Sequence, residues 1–183
     1  NLKIKKNSHT VITGQNGYGK STLLGLISGM LIHQNWSIKI GREKVGYIGP
    51  TPLILSTSLK ENLLYGNTAV VDESKILETC EMFKLFDVVN KEILDRQVTN
   101  TSLSSGQMQK VGFIRAILSN VEILLLDEST SNLDRNTKSL ILDIITNKNI
   151  SVINSTHEPT SFKQIDRHIQ IDIDDNKRLI YNM

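Results

Sequence analysis

The nine residues Gly14-Gln15-Asn16-Gly17-Tyr18-Gly19-Lys20-Ser21-Thr22 carry the most specific chemistry in the chain. Their spacing fits G-x-x-x-x-G-K-[ST], a loop whose backbone N–H groups cradle phosphate oxygens. Glycines let the main chain approach an anion with no Cβ in the way. The loop amides and the start of the following helix supply positive potential for a polyphosphate. Lys20 would reach the β- and γ-phosphates, and the Ser21 hydroxyl would ligate Mg²⁺. The flanks suit this. Thr10-Val11-Ile12-Thr13 is short and β-branched, as a buried strand should be, and Leu23, Leu24, Leu26 and Ile27 give a helix an apolar face.

A second group lies downstream. Glu122-Ile123-Leu124-Leu125-Leu126-Asp127-Glu128 runs apolar into two carboxylates, the pattern of a central parallel strand. Alone, the pair reads as an acidic cap on a core strand. With a phosphate loop upstream it gains a role, because ligands collect at the carboxyl ends of parallel strands. Asp127 is then placed to bind Mg²⁺, directly or through water. Glu128, slightly further out, could polarise a water for attack on the γ-phosphate. His157 follows the strand-like Ser151 to Ser155 and Thr156. A lone histidine is more often structural, but one at a neighbouring strand end could contact the γ-phosphate and orient Glu128 or the water. Ser104, Ser105 and Gly106, within Leu103-Ser104-Ser105-Gly106-Gln107, open a helix whose first amides form an anion site. One chain has only one phosphate loop, so that site needs a second molecule. The simpler role is Ser104 as an N-cap.

Elements must hold these groups. The helix from Lys20 should stop near Gly29. Leu2 to Lys5 and Trp36 to Ile40 alternate as half-buried strands do, and Val45 to Ile48 reads as a buried strand. Pro50-Thr51-Pro52 must be irregular. Ser58 with Glu61 forms a capping-box pattern over Leu59 to Leu64, with Gly66 as a stop. Asp72 would cap a helix to about Leu85, and Phe86 to Leu94 reads as a further short helix. Residues 58–100 thus form an all-helical lobe inserted into an α/β core of residues 1–57 and 101–183. Leu140, Ile141, Ile144 and Ile145 mark another amphipathic helix. Arg167 to Ile173 and Arg178 to Tyr181 read as closing strands.

Composition excludes several classes. The 183 residues suffice for one domain with a sizeable core. Net charge is +2, which gives no electrostatic reason to expect nucleic acid. Cys80 is the one cysteine, so no internal disulfide can form and a reducing, intracellular compartment is expected. No apolar run approaches the ~20 residues that span a bilayer. Asn at position 1, with the loop strand following almost at once, suggests a segment of a longer polypeptide.

Taken in order, these motifs resemble the nucleotide-binding domain of ATP-binding cassette (ABC) proteins across nearly the whole chain. Leu103-Ser104-Ser105-Gly106-Gln107 is similar to the family's LSGGQ signature, and Ser131-Asn132-Leu133-Asp134 is similar to its SALD loop. Glu61-Asn62-Leu63-Leu64-Tyr65-Gly66 is similar to the ENIxYG stretch of exporter-type domains, beside the surface that grips transmembrane coupling helices. The resemblance implies a P-loop NTPase fold with a mostly parallel sheet, ATP and Mg²⁺ as ligands, and ATP hydrolysis. It implies that two domains, alike or different, pair head to tail around two ATPs. Ser104 to Gln107 and Asp134 of each would then face the other's nucleotide. A fused or separate transmembrane partner would hold the domain at the cytoplasmic face of a membrane.

Four departures bear on this. Pro50 stands where the family has a glutamine that touches Mg²⁺ or the attacking water. Ser105 replaces a glycine. The adenine-stacking aromatic lies upstream, on a strand with no counterpart here. The segment from Lys20 to Pro50 is short, so the antiparallel β-lobe should be trimmed. The leading expectation is a motor domain of a membrane exporter. A soluble ABC ATPase, and a regulatory module with impaired hydrolysis motivated by Pro50 and Ser105, are the alternatives.

Overall fold

The computed structural model describes residues 3–32, 38–41, 43–131, 133–157, 165–173 and 179–182. Among the described residues eight strands and six helices follow in the order β1 (His9–Thr13), α1 (Lys20–Ile27), β2 (Val45–Ile48), β3 (Thr57–Ser58), α2 (Leu59–Leu64), α3 (Glu73–Met82), α4 (Glu92–Asp95), β4 (Gln97–Val98), α5 (Ser105–Leu118), β5 (Ile123–Asp127), α6 (Arg135–Asn147), β6 (Ser151–Ser155), β7 (Arg167–Ile173) and β8 (Leu179–Asn182). The main sheet has the order β2-β5-β6-β1-β7-β8. Every pairing in it is parallel except β7 with β8. A small antiparallel pair, β3 with β4, completes the α/β fold.

The sequence pattern explains the layers. Alternate residues of a strand face opposite sides of the sheet. On one side Ile12, Leu125, Ile153, Ile169 and Ile171 pack with Leu23 and Leu24 of α1. On the other side Ile48, Leu124, Leu126 and Val152 pack with Val111 and Ile114 of α5 and Ile141 and Ile144 of α6. Apolar residues on both faces of β5 are what a strand enclosed by two helical layers requires. The sheet register then sets Asp127 opposite Ser155, both at strand ends.

The lobe is anchored to α5. Phe83 stacks on Phe113 with ring centroids 6.4 Å apart. The half-buried guanidinium of Arg115 donates to the Leu53 carbonyl (2.6 Å), to Asn62 Oδ1 (3.1 Å) and to the Asn62 carbonyl. One side chain thus ties α2, α5 and the proline loop together.

Several expectations held and several shifted. Ser58 and Glu61 form the capping box of α2, and Ser104 with Gln107 forms that of α5. Gly29 and Gly66 adopt the left-handed φ of +79° that suits a helix stop. Asp72 is the N-cap of α3, although its side chain makes no capping bond. That helix ends earlier than Leu85. Lys84 is left-handed at φ 48°, Lys84 N–H bonds the Glu81 carbonyl and Leu85 N–H bonds the Cys80 carbonyl. This is a Schellman stop built on lysine rather than glycine, which the apolar periodicity does not reveal. Of the 86–94 segment only residues 92–94 are helical, within α4 (Glu92–Asp95). The lobe is also not purely helical at its base, because Thr57–Ser58 pairs with Gln97–Val98. Residues 3–5 and 38–40 are not strands; Leu2, Trp36, Ser37 and Arg178 lie outside the described residues. Between residues 28 and 44 no strand forms among the described residues, so antiparallel pairing is confined to β3–β4 and β7–β8.

Candidate nucleotide site

The phosphate loop joins β1 to α1 and is shaped by its glycines. Gly14 (φ +152°) lies so close to β7 that a Cβ would stand 2.6 Å from the Ile171 carbonyl oxygen. Gly17 and Gly19 are left-handed at φ +83° and +84°, and Gly19 is the N-cap of α1. Tyr18 N–H closes the loop on the Gln15 carbonyl at 3.2 Å. Lys20 is only 5% exposed. Its Nζ donates to the Gly14 and Gln15 carbonyls at 2.8 and 3.1 Å, so the ammonium lies against the loop's own backbone. Gln15, Asn16, Ser21 and Thr22 are exposed along the loop and the first turn of α1. An oxyanion meeting this surface finds loop amides, a helix N-terminus and one cation.

The end of β5 brings both acids, and the end of the neighbouring β6 brings His157. Asp127 is 3% exposed, and its Oδ2 accepts a hydrogen bond of 2.9 Å from the Tyr47 hydroxyl. Its Oδ1 is buried with no hydrogen-bond partner. A buried carboxylate oxygen without a donor is costly, and a divalent cation is a ligand that satisfies it. The donor set fits magnesium, which takes one or two carboxylates and completes its shell with phosphate oxygens and water. Among the described residues no three His, Cys, Asp or Glu side chains converge on a metal position. Phosphate and water oxygens would therefore have to supply most of the shell. Burial is the first cause, and the Asp127 carboxylate the second, that pushes the Tyr47 phenol up to about 12.

Glu128 follows β5 directly, in the left-handed region at φ 52°. Such a conformation costs roughly 1–3 kcal/mol outside glycine and persists only where neighbours hold it. They do: Glu128 N–H bonds the Ser155 carbonyl at 3.0 Å, and the Glu128 carbonyl accepts from Ser131 N–H and Oγ. The turn brings the carboxylate to His157, with Nε2 3.0 Å from Oε1. Both side chains are partly exposed, so water can reach the pair.

The sequence-nominated residues therefore fall in three places. The loop, Asp127, Glu128 and His157 lie at the carboxyl ends of β1, β5 and β6, which are adjacent in the sheet. Ser104 to Gln107 lie at the start of α5 instead. There Ser104 Oγ accepts from Gln107 N–H and Gln107 Oε1 accepts from Ser104 N–H, while Gln107 Nε2 reaches the Leu85 carbonyl. Ser104 and Ser105 are exposed at that helix end, with Gly106 partly buried. Asp134 caps α6, accepting from Thr137 N–H (2.9 Å) and Thr137 Oγ1 (2.6 Å). The Thr137 hydroxyl first, then backbone N–H groups, hold its carboxyl below the usual range.

Two polar neighbours escaped the sequence reading. In the sequence Tyr47 reads as one apolar residue of a buried strand. Ser155 is fully buried opposite Asp127, its Oγ without a partner. A hydroxyl inside the run Val152-Ile153-Asn154-Ser155 was the available signal for the second. Nothing local marks the first.

Comparison with known proteins identifies the family. The family model described as "ABC transporter" matches residues 1–131. The ATP-dependent permease MDL1 of Candida albicans is 31% identical over 92% of this chain and 28% of that protein. The lactococcin-A transport/processing ATP-binding protein LcnC of Lactococcus lactis subsp. lactis is 30% identical over 93% of this chain and 26% of that protein. The chain thus spans about a quarter of the length of these relatives. A solved structure of a bacterial Atm1-family ABC exporter with ATP bound superposes with a TM-score of 0.83 at 21% identity, over 93% of this chain and 33% of that one. That likeness is one of fold. The sequence matches go further, and by them the chain belongs to the ABC transporter family, as an ATP-binding domain.

Proposed function

We propose that this chain binds MgATP and hydrolyses it in a head-to-tail pair of ABC domains that drives a membrane exporter from its cytoplasmic face. The observation that carries the reading is one cluster at three adjacent strand ends. It holds a glycine loop with Lys20, a buried carboxylate with one unsatisfied oxygen, and a Glu128–His157 pair open to water. The loop and Lys20 hold the phosphates. Ser21 and Asp127 would hold Mg²⁺, which neutralises phosphate charge when bound. Glu128 accepts the proton of the attacking water, and His157 keeps Glu128 aimed. Ser104, Ser105, Gly106 and Gln107, with Asp134, would complete the site of a partner domain. Exporter-type relatives support the coupling to transmembrane helices; no described helix is itself long and apolar enough to cross a membrane.

The test is ATP binding by calorimetry in the native chain and in Lys20→Ala. Binding should be lost in the variant with the fold retained by circular dichroism. Equal affinity in both would refute the assignment of the loop.

A second reading, a regulatory module with weak hydrolysis, has one observation in its favour. Pro50 carries no side-chain donor, and its carbonyl is taken by Gln109 Nε2 at 2.6 Å. The loop that should sense the metal is thus bonded to α5.

A further inference from the structure

We propose that Tyr47 is the positioning residue for the magnesium carboxylate, fixing Asp127 so that Oδ1 stays free for the cation. This rests on the reading above that Asp127 binds Mg²⁺. Three independent features support it. Tyr47 packs in the apolar cluster that joins β5 to α1 and also includes Tyr18 of the phosphate loop, so its ring lies on the loop side of the sheet. Its hydroxyl donates to Oδ2 at 2.9 Å, while the buried Oδ1 has no partner. The space beside the ring is kept by Gly49, where a Cβ would stand 3.3 Å from Tyr47 Cε1 and 3.7 Å from the hydroxyl oxygen.

The chemistry favours a phenol in this place. A carboxylate pinned through one oxygen has its plane set and its other oxygen available. A lysine or arginine at the same point would do the pinning but would also neutralise the charge that attracts the cation. A neutral donor leaves that charge unspent. Partners of this kind orient metal ligands, and their loss typically costs about 10–100-fold in metal affinity. Pro50, three residues further along, offers no such donor. The polar contact from β2 to the metal acid therefore comes through Tyr47.

The test separates the metal from the nucleotide. Affinity of the full chain for a fluorescent ATP analogue is measured with Mg²⁺ and with EDTA, in the native chain, Tyr47→Phe, Asp127→Asn and the double variant. Tyr47→Phe should leave the EDTA affinity within about twofold and cut the gain from Mg²⁺ by about tenfold. Asp127→Asn should remove most of that gain, and adding Tyr47→Phe should then change nothing further. A merely structural tyrosine would lower both affinities together. An unchanged gain in Tyr47→Phe, or a further loss in the double variant, overturns the proposal while leaving the magnesium role of Asp127 intact. A native chain with no gain from Mg²⁺ refutes that role and this inference with it. If Tyr47→Phe does not fold, Gly49→Ala serves in its place. Its Cβ presses on Tyr47 Cε1 and shifts the ring by a few tenths of an ångström while the hydroxyl is kept, and it should reduce the gain from Mg²⁺ to a smaller extent; no reduction there also overturns the proposal.

Discussion

His157 Nε2 lies 3.0 Å from Glu128 Oε1, joining the ends of two adjacent parallel strands. The contact depends on backbone at both ends. Glu128 is turned out of β5 by its left-handed φ, and its N–H is fixed to the carbonyl of Ser155, two residues before the histidine. Both side chains are thus set by the sheet.

That arrangement predicts coupled rate losses. Glu128→Gln should reduce ATP turnover by roughly 10²–10⁴, because the amide cannot accept the proton. His157→Ala should cost about 10²-fold through misplacement of the carboxylate. Groups acting as a unit are not additive, so the double variant should be no slower than Glu128→Gln alone. Phosphate release at saturating MgATP measures all three. Multiplicative losses would mean that the two residues act separately.

Pro50 predicts slow basal turnover. Its ring cannot ligate Mg²⁺ or hold water, whereas binding is carried mainly by the phosphate loop. Pro50→Gln should raise the catalytic rate, about tenfold if it recovers about 1.4 kcal/mol of barrier, with ATP affinity changed less. A native rate equal to that of the glutamine variant would show that this position makes no catalytic contact, and would remove the main support for a regulatory module.

Cys80 offers a probe of the lobe. It is fully buried between α3 and its neighbours, and burial first, then the nearby Glu81 carboxylate, pushes the thiol up to about 12 from 9.0. A raised folded-state value gives stability that is fully present below pH 9.0 and is lost as pH climbs toward about 12. At pH 8 a disulfide reagent should label native Cys80 roughly a hundredfold or more slower than the urea-unfolded chain. Comparable rates would mean that the lobe opens readily or packs differently.

The parts legible in the sequence are those written in short local patterns. Gly14 to Thr22, the apolar run into Asp127 and Glu128, and the Ser58–Glu61 and Ser104–Gln107 caps each carry their meaning within ten residues. Features that depend on pairing across the sheet were not legible. Tyr47 meets Asp127 only because β2 lies beside β5, although 80 residues separate them. The β3–β4 pair is two residues long, too short for alternation to register. The Lys84 stop was missed for another reason: lysine rarely adopts a left-handed φ, and the sequence gives no hint that it does. The alternation at residues 3–5 misled because a half-exposed segment can alternate without a strand to pair with.

The most direct test of the central claim, a composite MgATP site shared by two domains, is the mass of Glu128→Gln by sedimentation with and without MgATP. The variant should bind ATP without turning it over, since it keeps the loop, Asp127 and the exposed start of α5 at Ser104 and Ser105. The claim predicts a nucleotide-dependent shift from monomer to dimer, reversed by the further change Lys20→Ala. A Glu128→Gln chain that binds MgATP fully yet stays monomeric at high concentration would contradict it.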